Sequence, residues 1–85
     1  MRIFYSSKFA KEYKKLPKSV KLKAEKKERI FRSNPHDFRL KTHKLKGLLR
    51  EYWAFSIDYQ YRIVFEFKDE QIVWFHAVGT HEVYK

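Results

Sequence analysis

From Trp53 to Val78 the chain is written in the period of a β-strand. Trp53, Phe55 and Ile57 alternate with Ala54, Ser56 and Asp58, and Tyr61, Ile63, Phe65 and Phe67 alternate with Arg62, Val64, Glu66 and Lys68. An apolar side chain at every second position describes a strand with one buried face. Asp69-Glu70 then supplies a tight reversal into Gln71–Val78, a third apolar run. Strands joined by connections this short pair as an antiparallel meander. Such a sheet needs cover on its apolar face, and the first part of the chain has to provide it.

That part is written in helical period. Arg2–Tyr5 is a short strand-type run, followed by Ser6 and Ser7, either of which can cap a helix beginning near Lys8. Phe9, Tyr13 and Leu16 recur at spacings of four and three and share one helical face. Pro17 ends this helix or opens the next. Ser19 is the candidate cap of the second helix, with Val20, Ala24 and Phe31 near one stripe and lysines elsewhere, and Asn34-Pro35 stops it. The expected fold is α+β: an N-terminal strand and a two-helix hairpin packed on one face of a small antiparallel sheet. The opposite face, which carries Arg62, is left with less cover.

Eighty-five residues make a single domain spanning 1–85. A domain of this size buries about 60–65% of the surface its unfolded chain exposes. The eight Phe, six Tyr and two Trp therefore matter individually. The absence of cysteine excludes disulfides and thiolate metal sites, as suits a reducing cytoplasm. Met1-Arg2-Ile3-Phe4-Tyr5 has no apolar core of signal-peptide length. No run approaches the roughly 20 apolar residues needed to cross a bilayer. A soluble, cytoplasmic protein without a membrane partner is expected.

Charge is segregated along the chain. Residues 1–50 hold 17 basic and 4 acidic side chains, whereas residues 51–85 hold 3 and 6, for a total of +10. A concentrated excess of this size fits a polyanionic partner, nucleic acid above all, because each cation that neutralises a phosphate releases a counterion. An anionic membrane surface or a merely solubilising helix face are the alternatives.

His36, His43, His76 and His81 match no zinc-binding spacing, and the two glycines, Gly47 and Gly79, form no phosphate loop. No metal and no cofactor is expected. Chemistry is left to His, Arg, Lys and Tyr, a set that suits metal-free RNA cleavage. There a base deprotonates the 2′-hydroxyl, a cation stabilises charge on the phosphate, and an acid protonates the departing 5′-oxygen. Histidine can carry either proton, arginine stays charged and grips phosphate in a planar fork, and an aromatic ring can stack a base.

The order of these pieces resembles the RelE/YoeB branch of the bacterial toxin–antitoxin toxins. His43-Lys44-Leu45-Lys46-Gly47 followed by Tyr52-Trp53-Ala54-Phe55-Ser56-Ile57 is similar to their H-x-L-x-G segment and the strand after it. Tyr61-Arg62-Ile63-Val64-Phe65-Glu66 resembles their arginine-bearing strand, and Val78-Gly79-Thr80-His81-Glu82-Val83-Tyr84 their C-terminal catalytic strand and tail. The resemblance implies a metal-independent endoribonuclease that cleaves mRNA at the ribosomal A site. It also implies a cognate antitoxin with an acidic, partly flexible segment.

By the same resemblance Arg62 grips phosphate, His81 is general acid or base, His43 is a second proton carrier, and Tyr84 contacts substrate. Arg39, Lys41, Lys44, Lys46, Trp53 and Tyr59 are the candidate RNA-binding residues. On the residues alone, the alternative for Arg62 is an ion pair with Glu66 or Asp58 on the strand surface. His76 reads as a core or strand-surface histidine and His36 as a turn residue. Where YoeB-like members carry a catalytic glutamate, this chain has Phe38-Arg39-Leu40-Lys41-Thr42, so the base falls to His43 or His81. Two other functions share the outline: a ParE-like gyrase inhibitor without nuclease activity, and a nucleic-acid-binding module without catalysis.

Overall fold

A computed structural model of the chain describes residues 1–47 and 51–84, the last of these by its backbone alone. Strand β1 (Arg2–Tyr5) leads into helices α1 (Ser7–Lys14) and α2 (Lys18–Ser33) and a one-turn 3-10 helix (Phe38–Leu40). Then come β2 (His43–Lys44), β3 (Trp53–Ser56), β4 (Arg62–Phe67), β5 (Ile72–Gly79) and a second 3-10 helix (His81–Tyr84). Among the described residues the sheet has five strands in the order β1-β5-β4-β3-β2. The expected α+β fold is present, with β3, β4 and β5 as its antiparallel meander. Two features go beyond that expectation. β1 lies parallel to β5, because the helical hairpin carries the chain back before the meander begins, and His43–Lys44 form a two-residue edge strand against Trp53–Ala54.

Helix α1 starts where it does because the Ser6 hydroxyl accepts from the Phe9 N–H at 2.9 Å. The same hydroxyl donates to the His76 carbonyl at 2.9 Å, so the cap also ties α1 to β5. Beyond Tyr5, β1 leaves the sheet, and α1 takes over its role along β5. The Ser6 N–H donates to the Phe75 carbonyl at 3.0 Å, and the Glu12 carboxylate accepts from the Val78 N–H at 3.0 Å. Helix α2 begins one residue before the expected cap. Pro17, at φ −56° and ψ 149°, already has the extended geometry of a cap. Its carbonyl accepts from the N–H groups of Val20 and Lys21, so Ser19 falls inside the first turn. Asn34 ends the helix as expected.

The main core lies between the helices and the sheet. Phe31 of α2 has no exposed surface. Its ring centroid is 4.9 Å from those of Phe55 and Phe65 and 5.5 Å from that of Phe75, one ring from each strand of the meander. Phe9, Val20, Ala24 and Leu40 complete it from the helical side. A smaller cluster of Leu45, Ala54, Val64 and Ala77 lies on the opposite face, where Tyr52 and Val83 pack against it.

A β-bulge decides which β5 residues reach which cluster. Val64 pairs with Ala77 but Phe65 pairs with Phe75, so His76 is the extra residue. The phase of the strand changes there. Val73 and Phe75 face the helices, and beyond the bulge Val78 joins them while Ala77 turns to the other cluster. No described helix is long and apolar enough to cross a membrane.

Phe31→Ala is expected to cost about 3–5 kcal/mol, since it leaves a cavity among three strand phenylalanines. Ser6→Ala is expected to cost about 1–2 kcal/mol through the lost cap. Urea denaturation measures both. A shift of the midpoint at unchanged slope is the expected result, and a Phe31→Ala loss below about 1 kcal/mol would contradict the packing.

Candidate active site

On the less covered face, where β3 ends and β4 begins, a cleft of about 810 Å³ opens. Its lining combines Arg62, His81, Ser56, Lys27, Arg39, Lys41 and Tyr59 with Asp58, Gln60, Thr80 and Glu82. The strand register sets Arg62 opposite Ser56 on one side and Gly79 on the other. Arg62 Nη1 donates to Ser56 Oγ at 2.8 Å, and Arg62 Nη2 donates to His81 Nε2 at 3.1 Å. A guanidinium can only donate, so this contact fixes His81 Nε2 as a ring nitrogen without a proton. The chain reaches His81 by turning out of β5 into the C-terminal 3-10 helix, whose Val83 N–H donates to the Thr80 carbonyl.

The ion pair that could have absorbed Arg62 is not formed. Asp58 pairs with Lys23 at 3.3 Å, and Glu66 pairs with His76 at 2.9 Å and Lys68 at 3.5 Å. Among the described residues no salt bridge reaches Arg62, and its Nε is buried without a hydrogen-bond partner. Arg62 is thus a cation held by a hydroxyl and an imidazole, both neutral, beside the cations Lys27 and Lys41. An arrangement of this kind attracts an anion into the cleft.

The loop between β3 and β4 sets one wall. Asp58 Oδ1 accepts from the N–H groups of Gln60 and Tyr61, both at 2.9 Å, and this closes the turn that carries Tyr59. Burial alone would raise the Asp58 carboxyl. Those two N–H groups, Tyr61 first, together with the Lys23 ammonium outweigh burial and hold it below its ordinary value. Tyr59 itself is 93% exposed, with its ring free for stacking at the mouth of the cleft. On the other wall Lys41 sits in left-handed backbone geometry (φ 53°, ψ 41°), a conformation that is strained for a residue with a Cβ. Lys27 Nζ donates to the Arg39 carbonyl at 2.9 Å, joining α2 to this wall.

The remaining residues singled out from the sequence fall in three places. Arg39 lines the cleft, but its fork is engaged by Asp37, with Nε to Oδ1 and Nη2 to Oδ2 both at 2.9 Å. His43, Lys44 and Lys46 are exposed and lie outside the cleft lining; His43 Nδ1 donates to the Lys41 carbonyl at 3.0 Å. Trp53 pairs in register with Phe65 and packs against His36 and Phe67 beside the main core, across the sheet from Arg62. The Tyr84 side chain lies outside the described residues. His76, half-buried, is held by Glu66 and stacked on Trp74, and His36 sits in the turn after α2.

Ser56 and Lys27 line the cleft without having been singled out from the sequence. Lys27 had a signal, since it lies four residues after Lys23 and three after Ala24, at the margin of the buried stripe of α2. Ser56 had one as well, as the position alternating with Phe55 and Ile57 and so on the face of Arg62.

A five-stranded sheet with one face under a helical hairpin and a cleft rich in cations on the other defines a small α+β domain. Residues 18–85 match the ParE-like toxin domain family, and the chain belongs to that family. Solved structures share its fold. YafQ from Escherichia coli strain BL21(DE3) superposes with a TM-score of 0.79 at 22% identity, over 95% of this chain and 93% of that one. A YoeB/ParE toxin from Agrobacterium tumefaciens gives 0.81 at 18% identity, over 95% and 99%. A chain of the heterotetrameric YoeB-YefM toxin-antitoxin complex from Staphylococcus aureus gives 0.77 at 21% identity, over 95% and 97%. No curated protein sequence matches the chain.

The hydrogen bonds from Arg39, side chain first and then backbone, lower the Asp37 carboxyl from 3.8 to about 2. Asp37 and Asp58 both sit below their ordinary values in the folded chain. Each therefore stabilises the fold above about pH 4, and that contribution is lost as the pH falls toward their folded-state values. Carboxyl NMR titration is expected to place Asp37 near pH 2, and Arg39→Ala to return it toward 3.8. An Asp37 midpoint near 3.8 in the unsubstituted protein would contradict the bidentate pair.

Proposed function

We propose that this chain is the toxin of a toxin–antitoxin pair and acts in the cytoplasm as a metal-independent endoribonuclease. It cleaves mRNA, at the ribosomal A site, and so inhibits translation. The observation that carries this reading is the direct contact between Arg62 and His81 in a cleft rich in cations, where no salt bridge among the described residues reaches the guanidinium. The two groups are matched to the two needs of the reaction, charge stabilisation and proton transfer.

In this scheme Arg62 holds the non-bridging oxygens of the scissile phosphate. His81 Nε2, which is unprotonated when it faces Arg62, takes the proton of the 2′-hydroxyl. The 2′-oxygen–phosphorus bond forms and the bond from phosphorus to the 5′-oxygen breaks, leaving a 2′,3′-cyclic phosphate. The departing 5′-oxygen takes its proton from a second acid, a role open to His43 or Tyr84. Lys41 and Lys27 hold flanking phosphates, with Lys44, Lys46 and Arg39 further out, and Tyr59 stacks a nucleobase. Trp53, packed against His36 and Phe67, has no part in this scheme.

The fold it shares with the S. aureus toxin–antitoxin complex supports a cognate antitoxin as partner. Acidic side chains on a flexible antitoxin segment would complement the basic first half of the chain. A second reading, gyrase inhibition without nuclease activity, draws on the family description. It gives no role to the Arg62–His81 contact.

The test adds purified protein to ribosomes programmed with a defined mRNA and maps the ends by primer extension, with and without EDTA. Cuts at a fixed codon position, unaffected by the chelator, are expected. Arg62→Ala and His81→Ala are each expected to lower cleavage by about tenfold to several thousandfold with unchanged thermal unfolding. Intact mRNA, or full activity in both variants, would overturn the proposal. Inhibited DNA supercoiling together with intact mRNA would establish the second reading.

A further inference from the structure

We propose that Ser56 is the positioning residue for Arg62, and that it becomes the guanidinium's sole tether when His81 carries a proton. The inference rests on the nuclease reading of the cleft and adds to it a residue that touches no substrate. Ser56, 8% exposed, is the one polar residue among the described residues that is buried, and its neighbours Ala54, Phe55 and Ile57 are all buried and apolar. A buried hydroxyl is retained at a cost unless it is hydrogen-bonded. Its partner here is Arg62 Nη1 at 2.8 Å, directly across the strand pair.

The choice of a hydroxyl has a chemical consequence. A carboxylate at position 56 would hold Arg62 equally well but would neutralise it and compete with phosphate. The serine oxygen fixes the guanidinium plane and leaves its charge to the ligand. The two tethers also behave differently during turnover. His81 Nε2 has one lone pair, which accepts from Arg62 while the ring nitrogen is unprotonated, so Arg62 Nη2 has to turn from it to the phosphate oxygen before Nε2 can take the 2′-hydroxyl proton. Once protonated, Nε2 can only donate, and Arg62 Nη2 stays with the phosphate as negative charge gathers there. Ser56 keeps the other nitrogen in place throughout.

The test is a double-mutant cycle on RNA cleavage, joined to nitrogen NMR of the Arg62 side chain. Ser56→Ala is expected to lower kcat about tenfold with KM changed by less than threefold, and Ser56→Thr, which keeps the hydroxyl, to recover most of the loss. In an Arg62→Ala background, Ser56→Ala is expected to have no further effect, because Ser56 acts through Arg62. The NMR arm needs no activity. Hindered rotation of the Arg62 guanidinium is expected in the unsubstituted protein and faster rotation in Ser56→Ala, where only the His81 contact is left. Full activity of Ser56→Ala, an equal loss in the Arg62→Ala background, or identical guanidinium signals in both proteins would overturn the proposal. If the unsubstituted protein leaves RNA intact, the nuclease reading fails and the guanidinium signals alone decide whether Ser56 positions Arg62.

Discussion

The packing of Phe31 against one phenylalanine from each strand of the meander fixes everything else in this small domain. Phe55, Phe65 and Phe75 meet its ring at centroid distances of 4.9, 4.9 and 5.5 Å, so one helical side chain sets the position of β3, β4 and β5 together. A chain of 85 residues can support one main core, and here that core lies on the helical side of the sheet. Among the described residues the opposite face is packed by Ala54, Val64 and Ala77 with Leu45, Tyr52 and Val83, and it can present polar groups at little cost. The strand alternation that buries Phe55, Ile63 and Phe65 also points Ser56 and Arg62 the other way. Core and cleft are two sides of one pattern.

The cleft works by leaving a charge uncompensated. Three acidic residues near it are engaged elsewhere: Asp58 by Lys23 and its own turn, Glu66 by His76 and Lys68, Asp37 by Arg39. Among the described residues the hydrogen bonds of Arg62 go to Ser56 and His81. A structural arginine on a strand surface would pair with one of those carboxylates. The exposed lysines of the first half add a long-range field that concentrates a polyanion near the site, while the short-range geometry belongs to Arg62, His81 and Ser56.

The fold was largely legible because periodicity and burial agree. The alternation through residues 53–67 is strict, and the spacing of Phe9, Tyr13 and Leu16 is that of one helical face. What escaped is what periodicity does not encode. Gln71–Val78 is apolar on both faces, so nothing marked His76 as the extra residue of a bulge. The parallel pairing of β1 with β5 depends on the path of the hairpin, not on the residues of β1. Ser19 is a residue type that caps helices, yet the fixed φ and free carbonyl of Pro17 are enough to start α2. For the site, Arg62, His81, Tyr59, Lys41 and Arg39 were named from sequence and do line one cleft. Trp53 went to the core side because it continues the phase of Phe55. Ser56 escaped because a lone serine in a strand has no chemistry until its partner across the sheet is known.

The identity of the RNA ends tests the central claim most directly, because it reports which atom attacked. Mass spectrometry of the fragments released from a defined mRNA should find a 5′-hydroxyl on one side of the cut. The other side should end in a 2′,3′-cyclic phosphate or its opened 3′-phosphate, as attack by the 2′-hydroxyl requires. Fragments ending in a 5′-phosphate and a 3′-hydroxyl would mean that water attacked instead, and the roles given to Arg62 and His81 would be wrong.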